Sequence, residues 1–251
     1  MTSTRNVDDD RPLTARSVLA SALLGTEPPE LPVAQLVSIA SLFGLSENRT
    51  RVALSRMVAA GEATADDGRY RLAGHLLVRQ SRQRQSRHPD LRPWTGAWTT
   101  VVIPAGRRSA PERTRTRRDL TVARLAELRE GLWVRPDNLP VVLADTGLGR
   151  WRAEPEGDPT AVAAELWDLP VWAATAARLR TRLAASAPDL AALDTAALAP
   201  GFVLSASVLR HFQSDPLLPG ELLPADWPGP ALRDEYDEWD AAYRRLLRQV
   251  L

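Results

Sequence analysis

Apolar residues recur at three- and four-residue intervals over 14–24, over 33–42 and again between Ser46 and Gly61, which predicts three helices in succession. Phe43-Gly44-Leu45 closes the second, so Gly44 marks a turn between the second and third helices. In the third, Ser46 is a suitable N-cap and Gly61 suits the C′ position. At 100° per residue, Leu54, Met57, Val58 and Gly61 share one side, expected to face a core. The opposite side carries Asn48, Arg49, Val52, Ser55 and Arg56. Two short strands, 62–64 and 69–72, flank Asp67-Gly68, a type I′ hairpin signal, and 73–88 reads as a connecting helix.

His88-Pro-Asp-Leu-Arg-Pro93 breaks that helix, because the residue before a proline is pushed out of the α region. A second region opens with the β-branched strand in 94–104. The arginine-rich 107–118 is expected to be a loop running into a helix over 120–129, followed by strands at 131–136 and 141–144. Strand, helix, strand, strand predicts a small ferredoxin-like α/β sandwich. From 160 the pattern is helical, at 160–167, 172–186, 190–198 and 203–212. Proline-rich loops at 215–219 and 222–229 lead into a final helix, 231–250, with Leu232, Tyr236, Trp239, Tyr243 and Leu246 on one stripe. The expected class is α+β, divided into a disordered tail over 1–12, a domain of helices and hairpin with its connector helix over 13–88, a middle α+β domain over 93–158 and a helical domain over 159–251.

With 44% hydrophobic and 25% charged residues among 251, the chain can build real cores. No apolar run approaches a membrane span, so no membrane association is expected. The first eleven residues hold three aspartates and no apolar core, unlike a signal peptide. The absence of cysteine excludes disulfides and thiolate metal sites and fits a cytoplasmic location. All basic residues are arginine, a mark of GC-rich coding that warns against reading any single arginine as functional. Residues 69–118 nonetheless hold 13 arginines against two acids, a net charge of +11, whereas 119–251 hold 13 against 20. Such a block beside an acidic body fits a polyanion-binding region attached to a regulatory one. The polar side of 73–88, with Arg79, Arg82, Arg84 and Arg87, is placed to run along a phosphate backbone.

An arginine-bearing helix is usually just a solvated face; its place after two helices and before an Arg69-Tyr70-Arg71 hairpin gives it a more specific reading. Helix, helix, turn, helix and wing is the order of a winged helix-turn-helix, whose third helix reads the major groove. Arg49 and Arg56 suit guanine or phosphate, Val52 a thymine methyl, and Asn48 and Ser55 base edges or phosphate. Arg69 and Arg71 would reach the minor groove or the backbone. Thr50 and Arg51 lie off the outer face, so Arg51 is assigned to phosphate or to structure.

Four segments carry a resemblance to a known family: Phe43 to Gly61, Pro93-Trp-Thr-Gly-Ala-Trp98, Gly131-Leu-Trp-Val-Arg-Pro-Asp-Asn-Leu139, and Asp215-Pro-Leu-Leu-Pro219 with Leu223-Pro-Ala-Asp-Trp-Pro-Gly229. In this order they resemble the PaaX family, bacterial repressors of phenylacetic acid catabolism. The resemblance implies an N-terminal winged helix, a middle domain like the Cas2 fold and a C-terminal helical domain. It also implies a homodimer that binds an inverted repeat of double-stranded DNA and is released by an acyl-coenzyme A effector such as phenylacetyl-CoA. Arg135, Arg150 and Arg152 beside Trp133 and Trp151 are conceivable effector ligands, but arginine packed beside a core tryptophan is the simpler reading, and no effector residue is assigned.

No enzyme is expected. His75, His88 and His211 lack metal-ligand spacing, and no nucleophile elbow, phosphate loop or dinucleotide fingerprint occurs. Neither catalytic nor metal residues nor a cofactor are assigned. A Cas2-like nuclease would need an aspartate at the end of the first middle-domain strand, where Val101-Val-Ile-Pro104 carries none. A winged-helix protein-interaction module is the other alternative.

Overall fold

The computed structural model describes residues 14–104, 106, 109–143 and 147–250, the side chain of Val250 excepted. The tail expected over 1–12 lies outside them. The chain divides into two compact units. One comprises the chain up to Arg87 with Ala177–Gln213 and Ala231–Leu251; the other comprises His88–Ala176 and Ser214–Pro230. The fold is mixed α+β, with two small antiparallel sheets and a helical C-terminal region.

In the first unit, α1 (Ala15–Leu24), α2 (Val33–Ser41) and α3 (Glu47–Ala59) precede the hairpin of β2 (Ala63–Asp66) and β3 (Arg69–Leu72). Thr14 and Ser17 form a reciprocal capping box that starts α1. Asp67 and Gly68 both take positive φ, 43° and 70°, as a type I′ turn requires. A three-residue strand without a sequence signal, β1 (Glu30–Pro32), pairs with β3 and gives the order β1-β3-β2. Val18, Leu19, Leu23, Leu36, Ile39, Leu54, Met57, Leu72 and Leu76 make the core. Of the side expected to face a core, Leu54 and Met57 are buried, but Val58 is 38% exposed and Gly61 is exposed too; Thr50, placed off the outer face, is fully buried and donates its hydroxyl to the Ser46 carbonyl at 3.0 Å.

Helix α4 (His75–Arg87) follows, and Leu247, near the end of the chain, packs against the same core. The predicted stripe of α9 (Gly229–Val250) is buried at all five positions, Leu232, Tyr236, Trp239, Tyr243 and Leu246. Gly201, in α8 (Leu198–Ser214), lets Tyr243 come so near that a Cβ there would sit 2.7 Å from its ring. The helix expected over 190–198 does not form separately. Instead α7 (Leu169–Ala191) runs on through Pro188, and a single 3-10 turn spans Thr195–Ala197. Prolines act as helix breakers through a missing N–H and ring clash, and within α7 those costs are borne near its end.

The second unit carries a four-stranded antiparallel sheet in the order β5-β6-β4-β7. Its strands are β4 (Trp98–Val102), β5 (Ala126–Arg129), β6 (Leu132–Pro136) and β7 (Gly149–Ala153). Here the predicted elements are displaced. The arginine-rich stretch is itself the helix, α5 (Ala110–Val122), started by a capping box in which Ser109 and Glu112 satisfy each other's backbone amides. The helix stops at Ala123, and Arg124 turns the chain at a φ of 63°. The segment expected to finish the helix therefore becomes β5. The strand expected at 141–144 is absent from its described residues, 141–143; the fourth strand is β7. Val101, Leu120, Leu125 and Trp133 pack between α5 and one sheet face. Trp98, Val134, Ala163 and Leu169 pack on the other, beside α6 (Pro159–Leu166).

No helix among the described residues is long and apolar enough to cross a membrane.

Candidate nucleic-acid interface

Ser46 accepts the backbone N–H of Arg49 at 3.4 Å, and Glu47 sits in the first turn of α3, where a carboxylate meets the positive end of the helix dipole. Burial of Thr50, Leu54 and Met57 fixes the rotation of the helix. Asn48, Arg49, Arg51, Val52, Ser55 and Arg56 are consequently all exposed. Val52 is 43% exposed, one of several exposed apolar side chains of the chain.

Of these, Asn48, Arg49, Val52 and Arg56 line one concavity of about 500 Å³. Ala53, Met57 and Ala60 complete its α3 wall, while Thr14, Ala15, Arg16 and Glu62 form the opposite side. Arg49 and Arg56 make no ion pair with any described residue. Arg51 is different: it pairs with Glu47 one turn back at 2.8 Å, outside the concavity. Ser55 also lies outside it.

Arg16 and Glu62 were not singled out in the sequence. Nε of Arg16 donates to Glu62 at 2.7 Å, and its hydrogen bond holds the Glu62 carboxyl below the ordinary range against the opposing effect of burial. The two are 46 residues apart, so no local pattern announces them.

Arg69 and Arg71 project from β3 and are brought together by Glu30 of β1, with Nε of Arg71 at 2.7 Å. Hydrogen bonds first from Arg69 and then from Arg71 lower the Glu30 carboxyl pKa. The charge block is similarly tempered elsewhere. Arg84 pairs with Glu27, Arg87 with Asp237 at 2.6 Å and Asp240 at 2.8 Å, and Arg117 with Glu127. Of the α4 arginines placed for a phosphate backbone, Arg79 and Arg82 make no ion pair with a described residue. The asymmetry along the sequence is therefore much smaller in space.

Among the arginines considered beside tryptophan, Arg135 is fully buried rather than at a surface. Its guanidinium donates to the carbonyls of Pro136 at 3.1 Å and Leu217 at 3.3 Å and to Asn138 Oδ1 at 3.1 Å. Burial, and then the neighbouring Arg124, pull its pKa down to about 9. Arg152 is exposed and pairs with Asp137 at 2.8 Å. Trp133 is core, and Trp151 is 56% exposed on β7. Asn138 also donates to Leu217 O, at 2.9 Å. The motifs at 131–139 and 215–219 thus clasp each other inside one unit.

No group of three or more potential metal ligands occurs among the described residues. A family profile described as PaaX-like protein matches residues 14–76, which carry α1 to α3, all three strands of the first sheet and the start of α4. Among solved structures, an uncharacterized protein, Rv0674 from Mycobacterium tuberculosis, is 37% identical. The alignment covers 94% of this chain and 98% of that one, with a TM-score of 0.74. No curated protein matches. The profile match includes α1 and α3, whose residues wall the concavity, and the chain belongs to the PaaX-like family.

Proposed function

We propose that the protein is a DNA-binding transcriptional regulator, a repressor whose α3 enters the major groove. In this reading α1 to α3 with β2 and β3 act as a winged helix-turn-helix. The βαβββ order of the second unit, with β4 inside the sheet, supports a Cas2-like middle domain, followed by helices. Two copies would place two α3 helices in successive major grooves of a palindrome, about one helical turn apart. An acyl-coenzyme A would release them.

One observation carries the proposal: Arg49 and Arg56 stand exposed beside Asn48 and Val52 on a face rotated outward by a buried opposite side, with no acid engaging them among the described residues. Guanidinium groups left in this way supply both phosphate attraction and guanine readout. Arg69 and Arg71 would join them at the backbone, exchanging Glu30 for phosphate, and Arg51 would contribute a phosphate contact from the flank.

The test is selection of duplexes from a random pool, followed by titration of selected against scrambled duplex over a salt series. Selective binding is expected, with a stoichiometry of two chains per palindrome and release by acyl-CoA thioesters. Arg56→Ala should weaken binding to the selected duplex by roughly 1–3 kcal/mol and relax its sequence preference. Equal affinity for both duplexes at every salt concentration would leave only generic polyanion binding and end the proposal.

A further inference from the structure

We infer that Arg16, in α1, contacts a backbone phosphate, which makes the concavity between α1 and α3 a clasp for one strand of the duplex. Arg16 lies in the wall of that concavity across from Asn48, Arg49, Val52 and Arg56. Its helix is fixed against α3, because Val18, Leu19 and Leu23 share one core with Leu54 and Met57. The guanidinium therefore has a set place beside the candidate reading face.

Pairing with Glu62 leaves Arg16 a usable donor. Glu62 is anchored through its backbone, its N–H donating to the Met57 carbonyl at 2.9 Å and its carbonyl accepting the Ala73 N–H at 2.8 Å. The Glu62 side chain is 9% exposed against 52% for Arg16, so the arginine covers the acid on the solvent side. His75 Nε2 stands 3.7 Å from the same carboxylate. Nε and Nη2 of Arg16 are taken by Glu62, whereas Nη1 makes no hydrogen bond with a described residue. Three arginines against one acid give the lining a net charge of +2, which suits an anion such as a phosphate. The apolar lining, Ala15, Val52, Ala53, Met57 and Ala60, suits the deoxyribose carbons on either side of that phosphate.

The clasp rests on the reading of α3 as a recognition helix, and the two can fail separately. Removing Arg16 alone would strand a buried carboxylate, so Glu62→Gln serves as the parent protein and Arg16→Gln is added to it. On a selected duplex the added change should reduce the slope of log affinity against log salt by about 0.9, the loss of one phosphate contact. The affinity gap between the two proteins should accordingly shrink about three- to fourfold from 50 to 200 mM salt. Selected and scrambled duplexes should lose affinity equally, since a phosphate carries no sequence, whereas Arg56→Ala alters preference. Arg16→Lys in the same parent keeps the charge and should keep the slope. Selective binding with an unchanged slope after Arg16→Gln overturns the clasp and leaves the recognition helix standing. Inorganic phosphate supplies the control for a free anion. If no version binds duplex, yet phosphate raises the melting temperature of the parent and not of the Arg16→Gln protein, Arg16 serves a free phosphate, and clasp and recognition helix both fall.

Discussion

Arg135 holds a charge in a place where charges are costly. It is fully buried, and its donors meet carbonyl and amide oxygens rather than a carboxylate. Its depressed pKa has a clear linkage sign: with a folded value of about 9, well below the ordinary arginine range, it costs stability below pH 9, and the cost is relieved as pH rises above that value. What it gives in return is position, joining the end of β6 to the 215–219 loop. Arg135→Ala should destabilise the chain by roughly 2–4 kcal/mol, from unpaired buried acceptors and the cavity left behind, measured by urea unfolding. Arg135→Met keeps the volume and should recover part of the loss. Equal stability of Arg135→Ala and the parent chain would refute a clamp.

Among the elements, α9 shows how one helix sets a pH limit. Tyr236 donates to or accepts from Ser205 at 2.7 Å, and Tyr243 donates to the Leu198 carbonyl at 2.9 Å. Burial first, and the nearby Asp240 second, raise both phenol pKa values above the usual 10. Their neutral forms therefore stabilise the fold fully below pH 10, and this contribution is lost as pH rises past it. Tyr236→Phe with Tyr243→Phe should lower stability at pH 7 yet flatten its decline between pH 10 and 12. Because Arg135 is common to both proteins, its opposite slope cancels in the comparison. Parallel curves from chemical denaturation at these pH values would contradict the assignment.

At the scale of the whole molecule, the first unit joins segments remote in sequence. Asp240 of α9 receives Arg87 of α4 at 2.8 Å and Arg244 at 2.9 Å, and Arg244 also donates to the Gly25 carbonyl at the end of α1. Phe43, in the turn before α3, meets Phe202 of α8 edge-on with 4.8 Å between ring centroids. The turn that leads into the helix of the candidate interface is thus seated against a residue 159 positions away. Asp240→Ala leaves half-buried Arg87 with Asp237 alone and should cost about 2–4 kcal/mol, somewhat less than the roughly 3–5 kcal/mol of a buried pair broken outright. Thermal melts should show a single shifted transition, whereas an unchanged midpoint would mean that the network holds nothing together.

Local chemistry was enough to specify α1, α2, α3, the β2–β3 hairpin and α9. Caps at Thr14 and Ser46, the Asp67-Gly68 turn and the aromatic stripe act within a few residues, so the sequence contains their whole cause. The outward face of α3 followed from helical geometry in the same way, down to Asn48, Arg49, Val52, Ser55 and Arg56. Elsewhere, neighbours in space made the decision. Glu30–Pro32 is a strand only because β3 offers it a partner, and Ala126–Arg129 pairs with β6 after Arg124 has ended the helix. Arg16 meets Glu62 across 46 residues, and the acids that quench much of the basic block come from outside it. Periodicity and capping are short-range and can be read along a chain. Strand pairing and charge compensation act across space, and only the tertiary structure fixed which arginines remained available.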